Sequence, residues 1–366
     1  MKLIIFPGNY IPHMGGLETH VDEFCKFASK KYEITIFTPH IPGSSIIEKR
    51  HTNVHIIRYP SIKLIDNYFI PRFWSPSFWR IWNNLKKTKY DLVMTRTRFF
   101  WNSFLGARFA RSVPLIHVEH GSGFIKTSNP FVNYFAWLYD MTIGRYVLRK
   151  AIVTVSISRA VQRFLKKEFG LNNTPIITRG IDFTKYDAVK VSRKKEHIFG
   201  VACRLTKWKG VSHAIDAMKD LPVTFWIMGD GEDLDQLKKK AKNNPCIQFL
   251  GRLSEEEVIL RMKQMQYYVH SSGQGGGLSN SLLQAMYCGC TVIASPGEGA
   301  DEVISAKTGI LLKDNSAVQL RKGIQKALKT KGLGKNAKAF VSKEFDWNVK
   351  IKEYDQLFER VIKKRL

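Results

Sequence analysis

The chain has 366 residues, too many for one ordinary hydrophobic core, so two domains are expected. Hydrophobic residues make up 44% and charged residues 24%, which excludes a disordered chain. The formal net charge is +27, and residues 1–190 hold 28 of the 58 Lys and Arg against 12 of the 31 Asp and Glu, so both halves are basic. Such a surface favours phosphates, anionic headgroups or nucleic acid; part of the excess reads equally as a solvated, lysine-rich surface. Five cysteines without a C-x-x-C pair disfavour a disulfide framework and a structural zinc site. The apolar start at Met1 is cut by Pro7, too early for a secretion leader. The longest apolar run, Phe131 to Leu148, carries Asn133, Asp140 and Arg145 and does not read as a spanning helix. These features predict a reducing, cytoplasmic setting.

In chain order, Lys2 to Phe6 reads as a buried strand, followed by a loop ending in Gly15-Gly16. A helix follows from Leu17, with Val21, Phe24, Cys25 and Ala28 on one face, and Tyr32 to Thr38 alternates as a second strand. This is a βαβ unit whose loop lies at the sheet's carboxyl edge, where α/β proteins bind ligands. Val54–Arg58, Leu92–Thr95, Leu115–Val118 and Ile152–Ser156 fit further parallel strands. Residues 68–101 hold eleven aromatic and seven basic residues and one acid, Asp91. Ser75-Pro76 starts a helix there, with Phe78, Trp79, Trp82 and Leu85 on one face. That face suits a membrane interface or packing against its own domain. The strand from Leu115 runs into His120-Gly121-Ser122-Gly123, which offers a histidine to a ligand or is a plain loop.

Residues 187–197 are polar and read as the interdomain linker. Ile198–Ala202 opens a second set of strands with Val223–Met228, Ile247–Leu250 and Tyr267–His270. After the first of these come Arg204 and Lys209, flanking a strand-to-helix loop that suits a diphosphate. Residues 270–302 combine a glycine-rich loop (273–277), Leu278, a helix that Ser279 or Asn280 caps, the strand Thr291–Ala294, and a turn leading to Glu302. Bare amides feeding a helix start form an anion site, or an ordinary turn.

In this order the motifs resemble glycosyltransferase family 4. The likeness is carried by Gly15-Gly16, His120-Gly121, Arg204 with Lys209-Gly210, Gly229-Asp230-Gly231, Phe249 to Arg252, Gly276 to Gly289, Glu302, Thr308-Gly309 and the helix from Trp347. The resemblance implies an α/β GT-B fold, two Rossmann-like doubly wound domains facing a cleft. Residues 1–185 then bind the acceptor and 186–346 the nucleotide sugar, while the C-terminal helix, about 347–366, crosses back to the first domain. It implies a retaining transferase moving sugar from a nucleotide-diphosphate sugar to a lipid-linked or surface-glycan acceptor. No metal or other cofactor is expected, and no nucleic acid. With the basic charge, it implies attachment to an anionic membrane at its inner face. By resemblance His120, Arg204 and Lys209 are catalytic. Gly15, Gly16, Gly276, Gly277, Leu278, Ser279, Asn280, Gln284 and Glu302 hold the donor. The family's Glu-x7-Glu motif is replaced by Gly276 and Gln284, which motivates the alternative of a weak or inactive homologue that binds within a glycan assembly complex.

Overall fold

The computed structural model describes residues 1–13, 15–65, 68–125, 127, 129–191, 197–273, 277–297 and 299–363. The chain divides into two compact units: residues 1–180 with 347–366, and residues 181–346.

The first unit is a seven-stranded sheet in the order β3-β4-β2-β1-β7-β8-β9. Its strands are β1 Lys2–Phe6, β2 Glu33–Pro39, β3 Ile47–Arg50, β4 Val54–Tyr59, β7 Leu92–Arg96, β8 Leu115–Glu119 and β9 Val153–Ser156. All pair in parallel except β3, which pairs antiparallel with β4 and closes that edge with Glu48, Lys49 and Arg50. Charged edge residues discourage further pairing. A separate hairpin joins β5 Ser61–Ile65 to β6 Tyr68–Pro71. The helices are α1 Gly16–Ala28, α2 Pro76–Lys87, α3 Trp101–Phe109, α4 Pro130–Tyr139, α5 Arg145–Lys150 and α6 Arg159–Phe169.

One sheet face packs on Val21, Phe24 and Ala28 of α1, Val161 and Leu165 of α6, and the C-terminal helix. The other packs on Phe78, Trp82 and Leu85 of α2, on α3 and on α5. The apolar stripe of α2 is therefore a core face. Trp82 is 6% exposed and Phe78 1%; Trp79, at 47%, donates its ring N–H to the Phe73 carbonyl at 2.7 Å. Of the two readings open for that stripe, packing on its own domain holds for Phe78 and Trp82, which spend their area against Phe37, Tyr59 and Phe109.

The second unit is a six-stranded parallel sheet in the order β12-β11-β10-β13-β14-β15. Its strands are β10 Ile198–Ala202, β11 Thr224–Met228, β12 Ile247–Gly251, β13 Tyr267–His270, β14 Thr291–Ala294 and β15 Gly309–Leu311. The helices α7 Phe183–Ala188, α8 Val211–Ala217, α9 Leu234–Ala241, α10 Glu255–Gln264, α11 Asn280–Tyr287, α12 Ala300–Val303, α13 Ala317–Lys329 and α14 Leu333–Glu344 cover both faces. Ser254 and Glu257 form a reciprocal capping box at α10. The unit begins at Ile181 rather than at residue 186. The reason is local: α7 belongs to this core, with Phe183 stacked on Tyr287 at 4.1 Å and Asp187 accepting the Tyr287 hydroxyl at 3.0 Å. Residues 187–191 and 197 of the expected linker therefore belong to the second unit; residues 192–196 lie outside the described residues.

The final helix, α15 Trp347–Lys363, belongs to the first unit. Trp347, Tyr354, Leu357, Phe358 and Val361 face inward and pack on α1, as the helical period of an apolar stripe requires. The Trp347 ring stacks on His20 at 5.2 Å and donates to Glu23 at 2.9 Å, and Gly180 packs directly against it. Lys31 pairs with Asp355 at 2.9 Å at the far end. Trp347→Ala is expected to destabilise the first unit by about 3–5 kcal/mol, the cost of emptying a large buried aromatic site. Denaturant unfolding, followed by probes in each unit, measures it; the second unit's transition should stay in place.

Candidate active site

Numbered in chain order, the six parallel strands of each sheet have the 3-2-1-4-5-6 order of a doubly wound fold; the first sheet adds β3 at its edge. Strand order reverses between β1 and β7 in the first unit and between β10 and β13 in the second. Loops leaving the carboxyl ends at a reversal have no crossover above them, so a crevice forms there. Gly15 and Gly16 follow β1, Arg204 and Lys209 follow β10, and residues 277–280 follow β13 at these reversals, while His120 follows β8 and Glu302 follows β14.

In the second unit the β10 loop carries Arg204, exposed, then a short 3-10 turn, Lys207–Lys209, and Gly210 at φ +65° opening α8. Lys209 Nζ lies over the Trp208 ring, 4.2 Å from its centre. The loop is pinned on two sides. The Leu205 amide donates to the Asp230 carbonyl at 2.8 Å, and the Ser271 hydroxyl donates to the Lys209 carbonyl at 2.8 Å. A Cβ on Gly210 would lie 2.2 Å from the Ser271 carbonyl oxygen, so glycine is required both by its φ and by this approach. The β13 loop is stitched to the β14 loop by Ser295, whose hydroxyl contacts the carbonyls of His270 and Ser272 at 3.0 and 2.7 Å. Leu278 then packs against Gly299, the residue before α12, which bears Glu302 half-buried. Ser279 stands at the N-cap of α11, but its side chain makes no capping bond; its hydroxyl lies 3.4 Å from that of Ser281. The structure thus gathers Arg204, Lys209, Gly277, Leu278, Ser279, Asn280 and Glu302 on the loops and helix starts of one carboxyl edge, with Gln284 one turn further along α11, half-buried. Gly276 lies outside the described residues.

In the first unit Gly15 is the N-cap of α1 and Gly16 its first residue. The acid beside them is the chain's own: a Cβ on Gly15 would lie 2.6 Å from the Glu18 carboxylate, which also sits 3.1 Å from His13. A carboxylate in the first turn is favoured by the helix dipole. His120 follows β8, half-buried, with its ring 5.0 Å from His20 and, among the described residues, no hydrogen-bond partner at its buried Nε2. Burial, and then the Arg96 guanidinium, push the His120 imidazole down to about 3. His20 is held down for the same two reasons. Both rings are neutral near pH 7.

Sequence reasoning missed what holds His120 in place. Glu119, fully buried, accepts from the backbone amides of His120 at 2.9 Å and Gly121 at 2.7 Å. Its carboxylate also meets Arg98 at 3.2 Å and His117 at 3.2 Å; Arg98 continues to Asp140 at 2.9 Å. Burial alone would raise the Glu119 carboxyl; Arg98, His117 and the Gly121 amide overrule it and hold the group below the carboxylate range. Burial raises Asp140 to about 6 against the pull of Arg98. The available signal was a histidine and a glutamate inside an otherwise apolar strand, Leu115-Ile-His-Val-Glu. Between Arg96 and Arg98, Thr97 adopts φ +63°, a strained setting for a β-branched residue.

Two doubly wound units of this order, each with its loops at the reversal, define the GT-B class. Residues 182–344 match the model of glycosyl transferases group 1, and residues 14–185 match that of glycosyltransferase family 4. The chain is 46% identical, over 99% of both chains, to the uncharacterized glycosyltransferase MJ1069 of Methanocaldococcus jannaschii. It is 25% identical, over 54% of this chain and 59% of the other, to the GDP-mannose-dependent monoacylated alpha-(1-6)-phosphatidylinositol monomannoside mannosyltransferase of Corynebacterium glutamicum. Its fold matches the sucrose-phosphate synthase of Thermosynechococcus elongatus with TM-score 0.81, 18% identity and 99% coverage of both chains. It matches HepE of Anabaena in complex with UDP and glucose with TM-score 0.76, 19% identity and 98% and 100% coverage. The chain belongs to the group 1 glycosyltransferases of the GT-B fold.

Two outcomes test the first-unit geometry. Glu119→Gln leaves Arg98 and the His120 and Gly121 amides short of a charged acceptor, and is expected to cost about 3–5 kcal/mol in denaturant unfolding, as breaking a buried pair does. His120 should show no titration between pH 5 and 8 in ring-nitrogen NMR. An unfolded histidine titrates near 6.5. Its depressed folded value, about 3, means its contribution to stability is complete above about pH 6.5 and lost as the pH falls toward 3.

Proposed function

We propose that this chain is a retaining glycosyltransferase that moves a sugar from a nucleotide-diphosphate sugar to a lipid-linked or surface-glycan acceptor, without a metal. One observation carries the reading: at the strand-order reversal of the second sheet, the loop of Arg204 and Lys209 is locked to Ser271 and Gly273 of the β13 loop, the loop that leads toward α11. Breaking a bond to a diphosphate leaves negative charge on the departing phosphate. Fixed cations and helix-start amides at that place stabilise it more than they stabilise the bound donor. On this reading the departing phosphate takes the acceptor's proton as the new bond forms on the same face, and the configuration is kept. His120, neutral and with an unpaired ring nitrogen, meets a sugar hydroxyl; Gln284 accepts from the ribose, and Glu302 and residues 276–280 line the donor.

The UDP and glucose bound by HepE support a nucleotide-sugar donor, and the phosphatidylinositol mannoside named for the Corynebacterium enzyme supports a lipid acceptor. Five free thiols suit a reducing compartment, and we place the protein on the cytoplasmic side. A second reading, a weak or inactive binding partner, is favoured by Gln284, a neutral amide where the family has a carboxylate.

Calorimetric titration of nucleotide sugars, followed by turnover with the ligand that binds, separates the two. Arg204→Ala and Lys209→Ala should each lower turnover roughly a hundredfold, the scale of losing one preorganised charge partner. Donor binding without turnover on any acceptor would favour the second reading. Near-normal turnover in both variants would move the active site elsewhere.

A further inference from the structure

The apolar run at residues 131–148, which the site does not use, forms a helical rod: α4, one wide turn at Asp140–Gly144, then α5. The backbone stays right-handed helical through both junctions, giving about 30 Å of rod over 21 residues. None of the ten residues of α4 is buried. Phe131, Tyr134, Phe135 and Leu138 stand at i, i+3, i+4 and i+7, one stripe of the helix, and Trp137 flanks it. These five side chains are 40–76% exposed, while Val132, Asn133, Ala136 and Tyr139 are half-buried. The usual arrangement is inverted: the larger and more apolar face points to solvent.

The helix does not depend on a core to form. The Asn129 side chain accepts from the Phe131 and Val132 amides at 2.9 and 3.4 Å, Pro130 occupies the first turn, and Thr127 and Asn133 bond to each other. At its end Tyr139 packs on Trp101 at 5.8 Å, and Trp101 on Phe73 at 6.1 Å; Trp74, next in sequence, is 70% exposed.

We infer that α4 is the element by which the first unit docks on an anionic lipid surface, its aromatic stripe lying in the headgroup region. Charge selects this occupant. Between residues 120 and 150 the only acid is Asp140, and it is buried against Arg98. The same span holds Lys126, Arg145, Arg149 and Lys150, and the last two are exposed. An exposed aromatic stripe with basic residues and no exposed acid along its helix matches an anionic bilayer interface. A second copy would bring another +27 to the same place, against like-charge repulsion. The inference deepens the proposed reading, in which the acceptor is lipid-linked, by naming the surface that meets the lipid.

Flotation of the full chain with phosphatidylcholine vesicles, with and without phosphatidylglycerol, tests it in the absence of donor and acceptor. The wild type should bind the anionic vesicles, less so as salt is raised. Phe131→Ser with Phe135→Ser and Leu138→Ser should lower the partition coefficient at least about tenfold, with an unchanged thermal midpoint because none of the three is buried. The single variant Phe135→Ser, expected to fall severalfold, stands in if the triple variant is poorly folded; Trp79→Ser should bind as wild type. Equal binding by wild type and stripe variants, or no wild-type binding to either vesicle, overturns the inference. So does a wild-type dimer that the stripe variants convert to monomer, which would make the face a self-interface. Donor calorimetry on the same preparations keeps the outcomes apart: vesicle binding can fail with donor binding intact, and the reverse.

Discussion

Reversal of strand order in a parallel sheet is the constraint on which the functional part of this chain depends. β10 is paired on both sides, to β11 and β13, so the connections leaving those strands turn to opposite faces and leave their first residues uncovered. The loops then have to be held by each other. They are held by backbone, not by long side chains: Gly229, at φ +133°, comes so near the Cys203 carbonyl that a Cβ would lie 1.9 Å from its oxygen. Contacts of that kind leave a loop little room to adjust. They fix the backbone that carries Arg204 and Lys209, which on the proposed reading spares a leaving group the cost of ordering that loop.

Much of this was legible because fully buried parallel strands read as continuous apolar runs. Lys2–Phe6, Ile198–Ala202, Tyr267–His270 and Thr291–Ala294 were found in place. The glycine-bearing loops after them could be placed for the same reason. What was not legible depends on partners distant in sequence. The edge strand Ile47–Arg50 is mostly charged and has no period of its own; it exists because β4 offers an unpaired edge. The amphipathic pattern of α2 says that it has an apolar face, not what covers it, and three aromatic rings of its own unit do. The reverse holds for α4, whose apolar stripe is bare. Hydrophobic period gives a helix and a face; only the fold decides which side that face takes.

The two buried arginines at the end of β7 show how differently one strand end can treat charge. Arg98 is matched by Glu119 and Asp140, and the match serves to orient the His120 loop. Arg96, equally buried, approaches the neutral His20 ring at 3.2 Å and the face of Phe24 at 4.9 Å. Burial lowers its pKa, with Tyr354 of α15 opposing the shift. Histidines beside such a cation are kept neutral, which fits a site that handles hydroxyls more than anions. The carboxylate Glu18 at the start of α1 points the same way, since it occupies with the protein's own charge a place that a phosphate would otherwise take. On the proposed reading, the handling of negative charge falls to the second unit.

That division bears on the replaced glutamates. On the proposed reading, in which Gln284 meets the ribose, a glutamate there would accept more strongly than the amide does, but it would also set a negative charge on α11. In a chain with +27 net charge, the family's carboxylate offsets part of a large positive field; the amide keeps the acceptor and leaves the field whole. On the proposed reading, the amide at position 284 therefore gives up a stronger contact at the ribose and adds no negative charge to compete with a diphosphate for the cations of the second unit.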